Sequence, residues 1–263
     1  MLTELFITNP TTGQVEVPLS ERAEWIEEIW TGGVAGTPAL TGGPLHLPYR
    51  PGAIWTPQDV GAREISIGMA IASPDHATLV EAVRDLSRLV WSPRQPLTLT
   101  RQLPDGARQV AQAVLLPDGI QPAMQGPITR VVLGFSLVDG WWIDAEETVI
   151  PWPASGTTRI VVDSDDATQR VRVTYDGGSY PGISATSLAS NAWPVFWTSY
   201  DGTPTPPVTV DVWNRTATQD GADVRQNVHG LGPRFWFELP PGPVQIDVSG
   251  GGTGTLAWKG VHL

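Results

Sequence analysis

The 263-residue chain contains no cysteine, and only Lys259 among its 16 basic residues is a lysine. Without cysteine there is no disulfide framework, no thiolate metal site and no cysteine nucleophile. The basic residues form no cluster and the formal net charge is −11, so we expect no specific binding to nucleic acid. No apolar run approaches the roughly 20 residues of a membrane helix, and the first residues lack a signal-peptide pattern. The sequence therefore predicts a protein that is made in the cytoplasm and does not insert into membranes.

Motifs for catalysis and for metal binding are also scarce. The four histidines have no metal-ligand spacing, and no nucleophile elbow, P-loop or dinucleotide fingerprint is present. The acidic run Asp163–Asp166 lacks the glycine and the distal glutamate of a calcium loop, which favours an exposed turn. Asp144, Glu146 and Glu147 offer carboxylates of the kind that a glycoside hydrolase uses, but an exposed charged linker is the favoured interpretation. We therefore expect no enzyme, no metal and no cofactor.

Glycine and proline are abundant, with 28 and 25 residues, and they lie mostly between short alternating segments. Both residues interrupt helices, so the composition predicts a mainly β protein with many turns. One helix is predicted near 74–91, with Ser73 as its N-cap and Pro74 at its first position. Its apolar stripe consists of Leu79, Val83, Leu86 and Val90.

The strand pattern predicts two domains and a linker. Residues 1–145 form a β domain around the helix. Residues 156–263 contain short alternating strands at regular intervals, which is typical of an antiparallel β-sandwich. Between them, 146–155 includes Pro151 and Pro153, which cannot donate sheet hydrogen bonds and therefore favour a linker.

The 12 tryptophans are unusual for a chain of this length. Aromatic rings at a surface can stack on sugar rings, and three residues of the irregular segment after 190 are candidate glycan contacts: Trp193, Trp197 and Tyr200. Three tryptophans near the domain boundary are predicted to fill the seam between the domains: Trp141, Trp142 and Trp152. Three lie in alternating strands, where core packing is expected: Trp213, Trp236 and Trp258.

The order of the segments resembles that of a known family. The run RPGAIWTPQDVGAREISIGMAI precedes the helix, and PLTLTRQLPDGARQV follows it. A strand then ends near FSLVDGWWID, and the chain closes on PPGPVQIDVSGGGTGTLAWKGVHL. This order, over essentially the whole chain, resembles the distal tail protein (Dit) family of long-tailed, non-contractile bacteriophages, which are minor tail proteins.

The resemblance implies a tail-tube-like split β-barrel followed by a galectin-like or jelly-roll sandwich. It implies six copies in a ring at the distal end of the virion tail, joining the tail tube protein to the tail-tip hub of the baseplate. DNA passes through the lumen of such a ring, and an acidic wall does not bind phosphate. An alternative is a carbohydrate-binding module at the tail tip that recognises the host cell wall. The bias to arginine suggests a high-GC host such as an actinobacterium.

Overall fold

A computed structural model describes most of the chain. The described residues are 4–19, 25–32, 40–41, 44–46, 53–55, 59–125, 128–152, 155–190, 195–231 and 237–263. The chain divides into two compact units, one of Met1–Ile143 with Leu263 and the other of Asp144–His262. The fold is mainly β, as predicted, and its sheets are antiparallel.

The first unit is built on one large antiparallel sheet with a helix, α1 (His76–Val90). Its described strands are β1 (Glu4–Asn9), β2 (Gln14–Pro18), β3 (Trp25–Gly32), β4 (Leu40–Thr41), β5 (Pro44–His46), β6 (Ala53–Trp55), β7 (Asp59–Val60), β8 (Arg63–Ala72), β9 (Leu97–Gln102), β10 (Arg108–Gln125), β11 (Ile128–Leu137) and, at the boundary, β12 (Trp142–Asp144). The main path of the sheet runs β2–β1–β9–β10–β11–β8–β3, while β4 pairs with β7 and β5 with β6. Over the described strands the sheet is open and does not close into a barrel.

The core of the first unit lies between α1 and the inner face of the sheet. Along β8 every second side chain faces inward, and four of these are buried: Ile65, Ile67, Met69 and Ile71. This alternation confirms the predicted strand. The helix packs against β1, β8 and β10. Its buried residues include Leu79, Leu86 and Val90 of the predicted stripe.

The predicted N-cap of the helix is wrong by two residues. Asp75, not Ser73, caps α1, because its carboxylate accepts a hydrogen bond from the backbone N–H of Thr78 at 2.9 Å. The hydrogen bonds from Thr78 hold the pKa of Asp75 below its usual value. The segment Ser-Pro-Asp offers two capping side chains, and the aspartate stands at the correct distance from the first free N–H groups.

The end of α1 is held by a side chain from β1. Asn9 has no exposed surface, and its amide nitrogen donates to the carbonyl oxygens of Leu89 at 2.7 Å and Trp91 at 3.0 Å. Its side-chain oxygen accepts from the N–H of Thr11 at 2.8 Å. Because the last carbonyl groups of a helix have no partner within the helix, Asn9 both satisfies them and fixes the helix on the sheet.

The second unit is a β-sandwich. Its described strands are β13 (Thr148–Trp152), β14 (Gly156–Val162), β15 (Val171–Asp176), β16 (Gly182–Ser187), β17 (Phe196–Tyr200), β18 (Val208–Asp211), β19 (Thr216–Gln219), β20 (Ala222–Asp223), β21 (Val228–Leu231), β22 (Gly242–Ser249), β23 (Thr253–Trp258) and β24 (Val261–His262), with one 3-10 turn at Arg225–Asn227. One sheet has the order β13–β23–β15–β18–β19–β20 and the other β14–β22–β16–β17–β21. Buried side chains of both sheets form a single core.

The predicted linker 146–155 is wrong over Thr148–Trp152. These residues form β13, which pairs along its length with β23. The indole of Trp152 is buried in the sandwich core, and its Nε1 donates to the carbonyl oxygen of Thr174 at 3.1 Å. Pro151 is tolerated because β13 is the end strand in the described order, where a missing N–H breaks no interior ladder.

Candidate functional site

The three predicted glycan contacts differ in their surroundings. Tyr200 on β17 is only 4% exposed and belongs to the sandwich core, so the prediction of a surface position is wrong for this residue. The physical reason is that 196–200 form a regular strand whose alternation turns Tyr200 inward. Trp193 lies outside the described residues. Trp197 is half-buried between the inward-facing Phe196 and Thr198, so its indole lies on the outer face of its sheet.

Strand register places Trp197 in a row of outward-facing side chains. Ser184 on β16 is paired with Trp197 on one side and with Asp247 on β22 on the other. Asp247 is paired in turn with Thr157 on β14. None of these four residues is buried. Neighbouring strands lie about 4.8 Å apart, so the row is about 14 Å long.

Neighbouring side chains hold the carboxylate of Asp247 in place. The hydroxyl of Thr157 donates to Oδ1 at 2.6 Å, and Nε2 of Gln245 lies 3.2 and 3.1 Å from the two oxygens. Gln245 is itself in register with Thr186 and Arg159, which form a second outward row. We call the two rows the polar face: Thr157, Arg159, Ser184, Thr186, Trp197, Gln245 and Asp247.

The three tryptophans predicted for the seam lie in separate surroundings. Trp142 has no exposed surface and belongs to the core of the first unit, where the guanidinium of Arg101 lies 4.6 Å from its ring centroid. Trp152 belongs to the core of the second unit. Trp141 is half-buried. Two of the three thus contribute to the core of their own unit, and a seam role stays a prediction.

Two of the carboxylates considered for acid–base chemistry have structural partners. Asp144 accepts a hydrogen bond from the backbone N–H of Gly260 at 3.0 Å and lies 2.8 Å from Nε2 of His262. Glu147 forms an ion pair with Arg172 on β15. These contacts tie the start of the second unit to its last strand and to its sheet.

The acidic run Asp163–Asp166 is a loop that contacts the last strand. The backbone N–H of Val261 donates to the hydroxyl of Ser164 at 3.0 Å. The hydrogen bond to Asp144 raises the pKa of His262 against the opposing effect of burial, and the charges of two aspartates in the run raise it further. Among the residues that the structure describes, no three histidine or acidic side chains are grouped as metal ligands.

Trp213 is a residue that the sequence pattern assigned wrongly to the core. It is 42% exposed, and the guanidinium of Arg170 lies 3.4 Å from its ring centroid. The alternation ends before it because β18 stops at Asp211 and a turn follows. Trp258 is buried, as predicted, at 4% exposure. Trp236 lies outside the described residues.

The first unit has a surface feature that the sequence analysis did not predict. Trp91, directly after α1, is 60% exposed and stands beside an irregularity in β10, where the register with β11 shifts between Leu115 and Ile120. Together they border a shallow cavity, lined by Trp91, Leu115, Pro117, Asp118, Gly119 and Ile120. An exposed tryptophan after a helix gives no periodic signal, so sequence reasoning had nothing by which to find it.

No helix in the described ranges is long and apolar enough to cross a membrane.

No protein-family model and no curated protein sequence matches the chain. Two structures of the phage P2 baseplate in its activated conformation, with Ca and with Sr, are each 7% identical to this chain with a TM-score of 0.42. The matches cover 98% and 97% of this chain and 97% of each of those chains. The crystal structure of the SPP1 Dit (gp 19.1) protein, titled a paradigm of the hub adsorption apparatus in phages infecting Gram-positive bacteria, is 13% identical with a TM-score of 0.66. That match covers 97% of this chain and 98% of the SPP1 chain, so this chain has the Dit fold over both of its units.

Proposed function

We propose that the chain is a structural protein of a bacteriophage tail, with the role of a distal tail adaptor. The observation that carries the proposal is the match with SPP1 Dit, which extends over nearly the whole of both chains. A fold on its own is compatible with several functions. Two different β units joined in the same order, however, are a more specific arrangement than either unit alone. The role is structural, without catalysis.

The adaptor acts as a ring of six copies. The open sheet of the first unit supports this, because its described path ends at β2 and β3. An edge strand presents backbone N–H and C=O groups that can pair with another chain. A head-to-tail contact between identical copies closes into a ring when its rotation allows. The net charge of −11 suits a ring through which DNA passes, since an acidic wall does not retain phosphates.

The ring joins the tail tube protein on one side to the tail-tip hub on the other, at the distal end of the virion tail. Purified protein is expected to form rings in negative-stain electron microscopy. Its mass by light scattering should be about 170 kDa, six times the chain mass of 28.3 kDa. Cross-linking of intact virions should connect the chain to tube and hub proteins. A protein that stays monomeric at high concentration and is absent from virions would refute the adaptor role.

The second unit has a second candidate function, recognition of a host cell-wall carbohydrate. The observation that favours it is Trp197, whose indole lies on the outer face of its sheet, where Ser184 is paired with it on one side and Leu231 on the other. The two functions are compatible because an adaptor can carry a binding module. Binding of the purified full-length protein to host cells, and its competition by isolated wall polysaccharide, tests this candidate. A protein that does not bind the cells at all excludes it.

A further inference from the structure

The polar face combines charged, amide and hydroxyl side chains with one tryptophan on the outward side of a sheet. Its side chains supply hydroxyl, amide, carboxylate and guanidinium groups, and Trp197 on β17 provides a large apolar surface. On its other side Trp197 is paired with Leu231 of β21. The charges of Arg159 and Asp247 offset each other, so the face is neutral although the unit around it is acidic. Every strand that contributes is part of one regular sheet, which holds the side chains on a rigid support.

The side chains of the polar face argue against several classes of binding partner. The centre of a protein–protein interface is apolar and depleted of charged residues, whereas the middle of this face contains Asp247 and Gln245. A nucleic acid needs several basic side chains for its phosphates, and the face has one, Arg159. A lipid surface needs either an apolar patch or a cationic one, and the two rows of the face contain one large apolar and one basic side chain. A neutral ligand with many hydroxyl groups fits the groups that are present.

We propose that the polar face binds a neutral oligosaccharide. Trp197 stacks on the apolar side of one sugar ring, and Asp247 accepts hydrogen bonds from hydroxyl groups of the next. Ser184 lies between them in the same row and can donate or accept. The row of about 14 Å is long enough for an oligosaccharide and not only for a single ring. The proposal rests on the second candidate function above and gives it a location and a ligand class.

The hydrogen bonds of Asp247 preorganise its carboxylate for ligand binding. Thr157 and Gln245 fix the carboxylate, so little side-chain freedom is lost on binding. An ionised carboxylate has about four acceptor positions, and these contacts leave some of them directed to solvent. Trp197 is half-buried, so part of its indole is already packed before ligand arrives.

The test uses the full-length protein and an array of neutral and acidic oligosaccharides. The oligosaccharide with the strongest signal is then titrated by calorimetry against the wild type and four variants. Trp197→Ala and Asp247→Ala change the polar face. Trp213→Ala is the matched tryptophan control, because Trp213 is 42% exposed and follows β18 of the other sheet. Asp176→Ala, at the exposed end of β15, is the matched aspartate control.

We expect a neutral oligosaccharide to bind, each face variant to weaken its affinity about tenfold or more, and each control to stay within about twofold. Circular dichroism of all four variants should match that of the wild type. If no oligosaccharide on the array binds, the site and the carbohydrate function fail together. If one binds and the face variants bind it as well as the controls do, the function stands and this site is overturned. A strongest signal from an acidic oligosaccharide also overturns the ligand class.

Discussion

Replacement of Gly254 by alanine should be among the most damaging single changes in the second unit. A Cβ atom built at Gly254 would lie 1.7 Å from Nε1 of Trp152 and 1.9 Å from the carbonyl oxygen of Thr174. Neither distance is possible between atoms that are not bonded to each other. The alanine variant must therefore either expel the indole of Trp152 from the core or separate β23 from β15.

The contacts of Trp152 give the magnitude. Its side chain is 4% exposed and its ring centroid lies 5.2 Å from that of Tyr175. Removing a large aromatic side chain from a core costs about 3–5 kcal/mol, and the lost hydrogen bond to Thr174 adds about 1 kcal/mol. Since the alanine keeps part of the packing after relaxation, we expect Gly254→Ala to lower the free energy of unfolding by about 3–5 kcal/mol.

Urea unfolding of the second unit, followed by tryptophan fluorescence and by hydrogen exchange in β13 and β23, measures this loss. Thr253→Ala is the control, because Thr253 is an exposed residue of the same strand. That variant should unfold within about 1 kcal/mol of the wild type. A Gly254→Ala protein that unfolds as the Thr253→Ala control does would refute the reasoning, since the indole could not then lie against the backbone of Gly254.

Three further predictions concern the end of α1, the last strand and β13. Asn9→Ala should destabilise the first unit by about 2–3 kcal/mol, because buried carbonyl groups at the end of α1 lose their donor; Thr11→Ala is the control, and equal losses in chemical denaturation would contradict the capping role. His262→Gln should destabilise most below about pH 6.5, because the raised pKa of His262 gives stability that is lost as the pH rises through it; a difference from wild type that does not shrink with pH would contradict this. Limited proteolysis should spare 148–152, because β13 is paired; early cleavage there would restore the linker interpretation.

Local patterns predicted much of the secondary structure. The alternation of Ile65, Ile67, Met69 and Ile71 is a property of one segment, and the structure confirms it as β8. The apolar period after Pro74 similarly indicated α1. The mainly β, Dit-like fold predicted from the order of segments is confirmed by the structure. The strand and the helix each depend on residues that are neighbours in the chain, which is why the sequence carries their signal.

The errors have a common physical cause, which is that tertiary partners decide what local signals leave open. Pro151 favours a linker when it is considered alone, but an edge strand also accepts proline. The partner that makes 148–152 a strand is β23, about a hundred residues later in the chain. Ser73 and Asp75 are both good capping residues, and only the actual first turn of α1 selects the aspartate.

The polar face could not be predicted from local sequence signals either, because it is formed only by strands that pair in the folded protein. Its strands come from three separate parts of the sequence, β14, β16 with β17, and β22. A row such as Thr157, Asp247, Ser184 and Trp197 therefore exists only once their registers are set. The register of β17 also decides which aromatic side chain lies on the outer face of the sheet. A shift of one residue along β17 would bury Trp197 and expose Phe196 and Tyr200. The sequence could therefore nominate both Trp197 and Tyr200 but not choose between them.

The two proposed functions can be tested independently because they depend on different parts of the molecule. The proposed ring would depend on the open sheet of the first unit, whose core is a separate cluster of buried residues from that of the sandwich. The side chains of the polar face point away from the sandwich core, so Trp197→Ala and Asp247→Ala leave the inward-facing residues of their strands unchanged. These variants should therefore form rings as the wild type does, even where they lose carbohydrate. If instead they lose the ring, the outer face of this sheet is itself an assembly contact, and the saccharide interpretation of Trp197 must give way to that one.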